Sequence, residues 1–295
     1  MFDGFQLQKF DSGEVSINAR VGGDGPPVLL LHGYPQTHAM WHAVAQRLAE
    51  RYTVVCTDLR GYGDSGKPPG GPQAGDPDHD TYSKRMMARD QVAVMAALGF
   101  ENFALIGHDR GGRVAHRLCL DHPNQVSRAA VLDIAPTHKM FAAMNREIAM
   151  GYWHWTWLAQ PFDLPERMIG ADPVWYLDGR LGGWGTGLDT YHPDALADYR
   201  RCFADPATIH ASCEDYRAGA TIDLVHDEAD MDNKVACPLL VLWGGRGLVD
   251  KWFDPLAVWR ERADDVRGEP IDAGHFLAEE KPQETTAALL AFLDE

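Results

Sequence analysis

A candidate nucleophile occurs in the segment Gly107-His-Asp-Arg-Gly111, which follows a short apolar run and precedes a helical pattern. A strand, a Gly-x-nucleophile-x-Gly segment and a helix are typical of a sharp, strained turn that lifts the central side chain above the sheet. Here the central residue is Asp109, and a carboxylate can attack saturated carbon or open a strained ring to form an ester. Considered alone, Asp109 could equally be a turn residue that caps the following helix.

An attacking carboxylate of this kind needs a base that activates water and an acid that orients the base. His275 follows a short strand-like segment, 269–272, and precedes the last helical pattern, which is where the base of such a triad is expected in chain order. An ordinary His pKa near ~6.5 suits that task at neutral pH. For the acid we choose Asp133, which follows an apolar run, with Asp250 as the reserve, since ligands and catalytic groups gather at the carboxyl edge of a parallel sheet. The alternatives are a surface loop His and a loop Asp that binds backbone N–H groups.

Two further turns follow predicted strands. In His32-Gly-Tyr-Pro-Gln36 the backbone N–H of Tyr34, together with that of Arg110, could stabilise an oxyanion. The segment Gly61-Tyr-Gly-Asp-Ser-Gly66 matches the spacing of a dinucleotide-binding loop. The Pro-rich residues after it cannot open a helix, so we interpret it as a glycine turn and predict no organic cofactor and no metal.

Composition limits the possible functions. The chain has 295 residues with 27 Lys and Arg against 43 Asp and Glu, a formal net charge of −16. This charge argues against sequence-independent binding of nucleic acid, and an anionic substrate would need a local cationic pocket. No apolar run reaches the ~18–20 residues of a membrane helix, and the first residues do not resemble a signal peptide, so we expect a cytoplasmic protein that does not bind membranes. Five scattered cysteines predict neither a disulfide framework nor a Cys-rich zinc site.

The elements that must position these side chains alternate between strands and helices. Continuous apolar runs predict buried parallel strands at 27–33, 52–58, 103–109, 129–134 and 238–244. Helical patterns lie between them, and a last helix is predicted over Gln283–Leu293, so the fold class is α/β with a mostly parallel sheet flanked by helices. The alternation stops between 139 and 226, which is rich in Trp, Tyr and Met. We therefore predict a core of residues 1–138 and 227–295 and a helical cap of residues 139–226.

These motifs together resemble the α/β-hydrolase superfamily over essentially the whole chain. Within it they are most similar to the fluoroacetate (haloacetate) dehalogenases, on the evidence of the two turns above, Asp133-Ile-Ala-Pro-Thr, Tyr152-Trp-His-Trp155 and Glu214-Asp-Tyr-Arg-Ala-Gly219. Epoxide hydrolases and haloalkane dehalogenases usually carry Trp after the nucleophile, where this chain has Arg110. Gly247 stands where much of the superfamily has the triad acid, a departure that the dehalogenase pattern resolves by placing the acid at Asp133.

The resemblance implies roles for further residues. Arg110 and Arg113 would hold the substrate carboxylate, for which paired guanidinium groups are chemically suited. His154, Trp155 and Tyr216 of the cap would donate N–H or O–H groups to the departing halide. Without the resemblance, these three residues read as cap core and ordinary buried hydrogen bonds, and Arg113 as an exposed or ion-paired helix residue.

The predicted function is hydrolytic dehalogenation of a short 2-haloacid, fluoroacetate above all, through an ester on Asp109. One alternative is an epoxide hydrolase with the same Asp–His–Asp set, in which Tyr216 and one of several other tyrosines would protonate the opening oxygen. The candidates for that second tyrosine are Tyr152, Tyr176, Tyr191 and Tyr199. The other alternative is a non-catalytic binding protein with a vestigial hydrolase fold. Family members are often homodimers, so a homodimer is a further expectation.

Overall fold

The computed structural model describes all 295 residues. Eight strands form one sheet in the order β1-β2-β4-β3-β5-β6-β7-β8. The pairs β1–β2 and β2–β4 are antiparallel, whereas every other neighbouring pair is parallel. The strands are β1 (Gln6–Asp11), β2 (Ser16–Gly22), β3 (Pro27–Leu31), β4 (Thr53–Thr57), β5 (Phe103–His108), β6 (Val126–Leu132), β7 (Leu239–Gly244) and β8 (Val266–Ile271).

The five apolar runs and the short segment before His275 all coincide with strands of this sheet, so the predicted fold class is confirmed. Every residue of β5 and β7 is buried, as continuous apolar runs require of strands that are covered on both faces. The antiparallel strands β1 and β2 were not predicted. The sequence of β1, QLQKFD, is polar and mostly exposed at the edge of the sheet, so it carries little hydrophobic signal.

Fifteen α-helices accompany the sheet. The first three begin at His42, Lys84 and Arg110, and the third has two adjacent glycines, Gly111 and Gly112, in its first turn. The helices are α1 (His42–Leu48), α2 (Lys84–Ala97), α3 (Arg110–Asp121), α4 (Thr137–Ala142), α5 (Arg146–Gly151), α6 (Trp153–Leu158), α7 (Leu164–Ala171), α8 (Pro173–Trp184), α9 (Pro193–Phe203), α10 (Pro206–Ala220), α11 (Ile222–Ala229), α12 (Leu248–Trp252), α13 (Pro255–Arg260), α14 (Leu277–Glu280) and α15 (Pro282–Leu293).

Eight of these helices, α4 to α11, lie between β6 and β7 in the chain, and this segment contains no strand. The boundaries predicted for the cap, 139 and 226, fall inside α4 and α11, and the division into core and cap stays a prediction. No helix combines the length and the apolar character that a membrane span requires. All five cysteines are buried free thiols.

Candidate active site

The turn that carries Asp109 connects β5 to α3 at the carboxyl edge of the sheet. Asp109 has φ 47° and ψ −115°, a strained conformation for a residue with a side chain. A Cβ at Gly107 would lie 2.4 Å from the carbonyl oxygen of Gly111, and a Cβ at Gly111 would lie 2.4 Å from that of His32. The two glycines are therefore required by close backbone packing, and the sharp turn that the sequence predicted is present.

The two carboxylate oxygens of Asp109 have different surroundings. Oδ1 accepts a hydrogen bond of 2.9 Å from the backbone N–H of Tyr34. Oδ2 lies 4.0 Å from Nε2 of His275. Burial favours the protonated carboxyl, but the charges of His275, His108 and the two neighbouring arginines outweigh it and lower the pKa of Asp109. The side chain is thus an anion at neutral pH with one oxygen held and the other free. The N–H of Arg110, the second predicted oxyanion donor, is at the first position of α3.

His275 and Asp133 form a hydrogen-bonded pair. Nδ1 of His275 lies 2.6 Å from Oδ2 of Asp133, whose other oxygen accepts from the N–H of Gly244 at 2.9 Å. Burial would lower the pKa of His275, but the hydrogen bond to Asp133 and the charges of Asp133 and Asp109 raise it overall. Nε2 of His275 is buried without a partner on the side of Asp109. The pair can therefore hold a water between His275 and Asp109.

The reserve acid lies elsewhere. Oδ1 of Asp250 accepts a hydrogen bond of 2.6 Å from the indole N–H of Trp243, and Asp250 is exposed. Gly247 stands at the superfamily's usual position for the triad acid, and it lies next to Asp133 in space. A Cβ at position 247 would lie 3.5 and 3.7 Å from the two carboxylate oxygens of Asp133. Positions 133 and 247 thus approach the same point beside His275.

Both predicted carboxylate-binding arginines are buried on α3 next to the nucleophile. Arg110 is ion-paired with Asp215 of α10, at 2.6 Å between Nη2 and Oδ1. Arg113 has no carboxylate in hydrogen-bond range and donates Nη1 to the carbonyl of Ala135 and the hydroxyl of Thr137. Burial and the charge of Arg110 lower the pKa of Arg113 to about 10, so it stays a cation at neutral pH. This end of the site therefore carries positive charge within a strongly acidic protein.

The three residues predicted to bind halide, on α6 and α10, lie together beside these arginines. The rings of His154 and Trp155 lie 5.5 and 6.0 Å from the ring of Tyr216. The guanidinium carbon of Arg113 lies 4.4 Å from the Trp155 ring centre, and that of Arg110 lies 4.2 Å from the Tyr216 ring centre. Burial and the charge of Arg180 hold the pKa of His154 well below its usual value, and its Nδ1 is buried without a partner. All three residues therefore lie together in one buried cluster.

A cavity of about 260 Å³ opens beside the base. Its lining includes Asp133 and His275, with Trp184 of α8, Arg246 and Gly247. Asp109, Arg110 and Arg113 do not line it and are buried, so the carboxylate end of the site is closed and the base end is open. Such a site accommodates a small substrate and admits water from the side of His275.

Two clusters of acidic groups elsewhere could be taken for metal sites. They are Glu166–His210–Glu214 and Asp64–Asp198–Cys202. In the first, Arg217 donates hydrogen bonds to both glutamates. In the second, Arg201 does the same for both aspartates. Because a guanidinium already pairs with both carboxylates in each cluster, both are ion-pair networks. The first joins α7 to α10, and the second joins α9 to the loop after β4.

Comparison with known proteins identifies the family. A sequence model described as the alpha/beta hydrolase fold matches residues 26–282. This chain belongs to the α/β-hydrolase family. A fluoroacetate dehalogenase from Burkholderia sp. is 50% identical over 100% of this chain and 96% of its own length. A soluble epoxide hydrolase from Corynebacterium sp. (strain C12) is 33% identical over 92% of this chain and 91% of its own length.

A solved structure agrees. A protein from Nostoc sp PCC 7120, described only as an α/β-hydrolase, superposes with a TM-score of 0.97, is 56% identical and covers 99% of each chain. The resemblance to α/β-hydrolases, and to fluoroacetate dehalogenases among them, is therefore confirmed.

Within this α/β-hydrolase site, sequence reasoning missed the partners of Arg110. Asp215 belongs to a motif that carried the resemblance, but nothing in the sequence shows which residue it contacts. The two residues lie 105 positions apart. Two further residues contact Asp215, namely Lys84 at the start of α2 and Tyr62 in the loop after β4. The sequence around Asp215 does indicate a buried ion pair, because an Asp among small and apolar residues of a helix is buried only when it is paired.

Proposed function

We propose that this α/β-hydrolase hydrolyses haloacetates, with fluoroacetate as the leading substrate, to glycolate and halide. The observation that carries the proposal is the pair of buried guanidinium groups of Arg110 and Arg113 beside the anionic Asp109. Their positive charge offsets the repulsion between a substrate carboxylate and the carboxylate that attacks it. The similarity to the Burkholderia fluoroacetate dehalogenase supports the same conclusion.

In the first step, Oδ2 of Asp109 attacks the carbon that bears the halogen, from the side opposite the halogen. The oxygen lone pair forms a C–O bond, the C–halogen bond breaks, and its electron pair leaves with the halide. Because Oδ1 is held by the Tyr34 N–H, the free Oδ2 is the attacking atom. The neutral ring of His154, the indole of Trp155 and the hydroxyl of Tyr216 donate to the halide as its charge develops.

In the second step, His275 deprotonates a water, which attacks the ester carbonyl of Asp109. The negative charge that forms on Oδ1 already has a donor in the Tyr34 N–H. The acyl C–O bond breaks and glycolate leaves with the original Oδ2, protonated by His275. Asp133 stabilises the imidazolium that exists in between, and Asp109 releases a proton as it returns to the carboxylate. Substrate, water and products balance as glycolate, halide and one proton.

A matched substrate panel tests the proposed function. Purified protein is incubated with fluoroacetate, chloroacetate and bromoacetate, with halide and glycolate measured, and in parallel with a styrene-type epoxide, with diol measured. We expect equal amounts of halide and glycolate, and little diol. Diol formation without halide release would replace the proposal by the epoxide hydrolase alternative, and no turnover of any substrate would favour a binding protein.

One observation favours epoxide hydrolysis as the second candidate, namely the similarity to the Corynebacterium epoxide hydrolase. That chemistry needs hydroxyl groups free to protonate an oxygen. The hydroxyls of Tyr191 and Tyr199 donate instead to Leu181 and Glu279. Tyr216, Tyr152 and Tyr176 are left as the donors for this reaction, since the Tyr176 hydroxyl accepts from that of Tyr34 at 3.0 Å and keeps its own proton free. The arginine pair gives an uncharged epoxide no advantage.

The choice of Asp133 over Asp250 as the acid gives a direct prediction. Asp133→Asn should lower kcat for haloacetate by about 10³–10⁴-fold, because the imidazolium loses its counter-charge and the ring its orientation. Asp250→Asn should leave kcat unchanged, since its carboxylate contacts Trp243. Steady-state halide release from both variants makes the comparison. Equal losses, or a larger loss in Asp250→Asn, would contradict the assignment.

The pKa shifts predict different pH dependences for the two steps. The pKa of Asp109 is lowered from 3.8, so the attacking carboxylate persists in mild acid. The pKa of His275 is raised from 6.5, so the neutral base is lost as the pH falls through that higher value. At pH about 5.5 we expect a burst of about one halide per site followed by slow turnover, and a steady rate that increases as the pH is raised. Rapid-quench measurement of halide tests this, and a burst that disappears together with turnover would contradict it.

We further propose that two copies of the chain associate through the cap. Met150 of α5 and Trp175 of α8 are 73% and 74% exposed, and further apolar side chains are exposed on α7 and in the loop before it. They are Phe162, Leu164 and Met168. Where exposed apolar side chains form one patch on a monomer, the patch commonly marks an interface. Sedimentation of the wild type should show a dimer that Trp175→Lys weakens, and a wild-type monomer at all concentrations would refute this.

A further inference from the structure

The guanidinium of Arg110 is fixed by a carboxylate of the cap. Nε of Arg110 donates to Oδ2 of Asp215 at 2.9 Å, and Nη2 donates to Oδ1 at 2.6 Å and to the backbone carbonyl of the same residue at 2.7 Å. Both side chains are completely buried. A two-pronged contact of this kind fixes the plane of the guanidinium as well as its place.

Asp215 is itself held by two further side chains. The ammonium of Lys84 contacts Oδ1, and the hydroxyl of Tyr62 donates to Oδ2 at 2.6 Å. Behind Lys84 lies a second carboxylate, Asp223, with Oδ2 3.3 Å from Nζ and Oδ1 accepting from the backbone N–H of Lys84 at 2.8 Å. Charges this deeply buried contribute little net stability compared with apolar packing, so the network calls for a role other than stability.

These contacts leave one nitrogen of each guanidinium, in Arg110 and in Arg113, without a hydrogen-bond partner. Nη1 of Arg110 is buried without a partner, as is Nε of Arg113, whose Nη1 is occupied by Ala135 and Thr137. An unpartnered buried donor is costly unless a ligand satisfies it. The two free donors are on the two guanidinium groups that flank Asp109, one on each.

We propose that Asp215 is a positioning residue that turns Arg110 so that Nη1 alone faces the substrate, and that the substrate carboxylate bridges this nitrogen and Nε of Arg113. The inference rests on the proposed function. Asp215 does not touch the substrate; it acts through Arg110, while Lys84 and Tyr62 keep its carboxylate in place.

Charge and geometry predict opposite results for Asp215→Asn. The change removes a negative charge near the substrate anion, so charge alone would tighten binding and lower KM. If Asp215 positions Arg110, the amide cannot accept from both Nε and Nη2, the guanidinium turns, and KM rises. The loss of one well-placed charge-assisted hydrogen bond corresponds to about a 10- to 100-fold rise.

The experiment measures kcat and KM for chloroacetate and the inhibition constant of glycolate in three proteins. They are the wild type, Asp215→Asn and the matched control Asp223→Asn, which removes one charge from the same network without touching Arg110. We expect KM and the glycolate constant to rise together in Asp215→Asn with a much smaller change in kcat, and a change of less than about threefold in the control. Partial unfolding would instead lower the number of active sites, and hence kcat, with KM unchanged.

Each remaining outcome has a defined meaning. A lower or unchanged KM in Asp215→Asn, or an equal rise in Asp223→Asn, overturns the positioning role. If Asp215→Asn does not fold, Tyr62→Phe decides the matter, because it removes only the hydrogen bond to Oδ2 of Asp215. It should raise KM for chloroacetate several-fold without changing kcat, and an unchanged KM overturns the inference. Failure of the proposed function is distinguishable, since the wild type would then release no halide at all.

Discussion

An Asp109→Asn variant should release halide from haloacetates at less than about one ten-thousandth of the wild-type rate. The amide oxygen is a far weaker nucleophile than a carboxylate, and no other carboxylate of the site can take over. Asp133 is bonded to His275 and to the N–H of Gly244, so neither of its oxygens is free to attack. Fluoride and chloride release over long incubations measures the residual rate.

The substitution changes little else, which makes the loss interpretable. Asn has the size of Asp and keeps an oxygen that can accept from the Tyr34 N–H. The substitution leaves the nearby arginines without the negative charge of Asp109, which should lower the stability of the fold. A thermal melt at neutral pH would show this as a lower Tm. A folded Asp109→Asn protein that still turns over haloacetate within a factor of about ten of the wild type would exclude Asp109 as the nucleophile.

A His275→Asn variant should complete the first step and stop. Attack by Asp109 requires no proton transfer, so one equivalent of halide should appear per active site. Hydrolysis then lacks its base, and steady turnover should fall by about 10³-fold or more. Mass spectrometry of the peptide that contains Asp109 should show the added mass of one carboxymethyl group.

The double variant Asp109→Asn with His275→Asn is the matched control for this trap. It has the same altered base but no attacking carboxylate, so it should carry no adduct and release no halide. An unmodified peptide in His275→Asn after a full equivalent of halide has been released would argue that water attacks the substrate directly. An adduct on a residue other than Asp109 would identify a different nucleophile.

Local rules were enough to predict the centre of this site. The elbow around Asp109 is visible in the sequence because glycines at 107 and 111 are the only residues that fit the close backbone contacts there. The carboxyl ends of parallel strands bring Asp109, Asp133 and the Tyr34 turn to one edge, and continuous apolar runs located those strands. The position of His275 followed from the order of elements along the chain.

Contacts between distant segments could not be predicted in this way. The sequence offered Arg110 as a free cation beside the nucleophile, whereas the structure pairs it with Asp215, so that a single nitrogen remains unpartnered. Nor does the sequence show that Gly247 and Asp133 approach the same point. Both facts depend on how loops and the helices between β6 and β7 pack on the sheet, which propensities and spacing do not determine.

A single turnover in water labelled with oxygen-18 tests the central claim most directly. With enzyme in excess over chloroacetate, water attacks the carbonyl of the Asp109 ester and glycolate leaves with the original side-chain oxygen. We therefore predict unlabelled glycolate and one heavy oxygen in the carboxylate of Asp109, found by mass spectrometry of its peptide. Labelled glycolate in that first turnover, with no label in Asp109, would contradict the account.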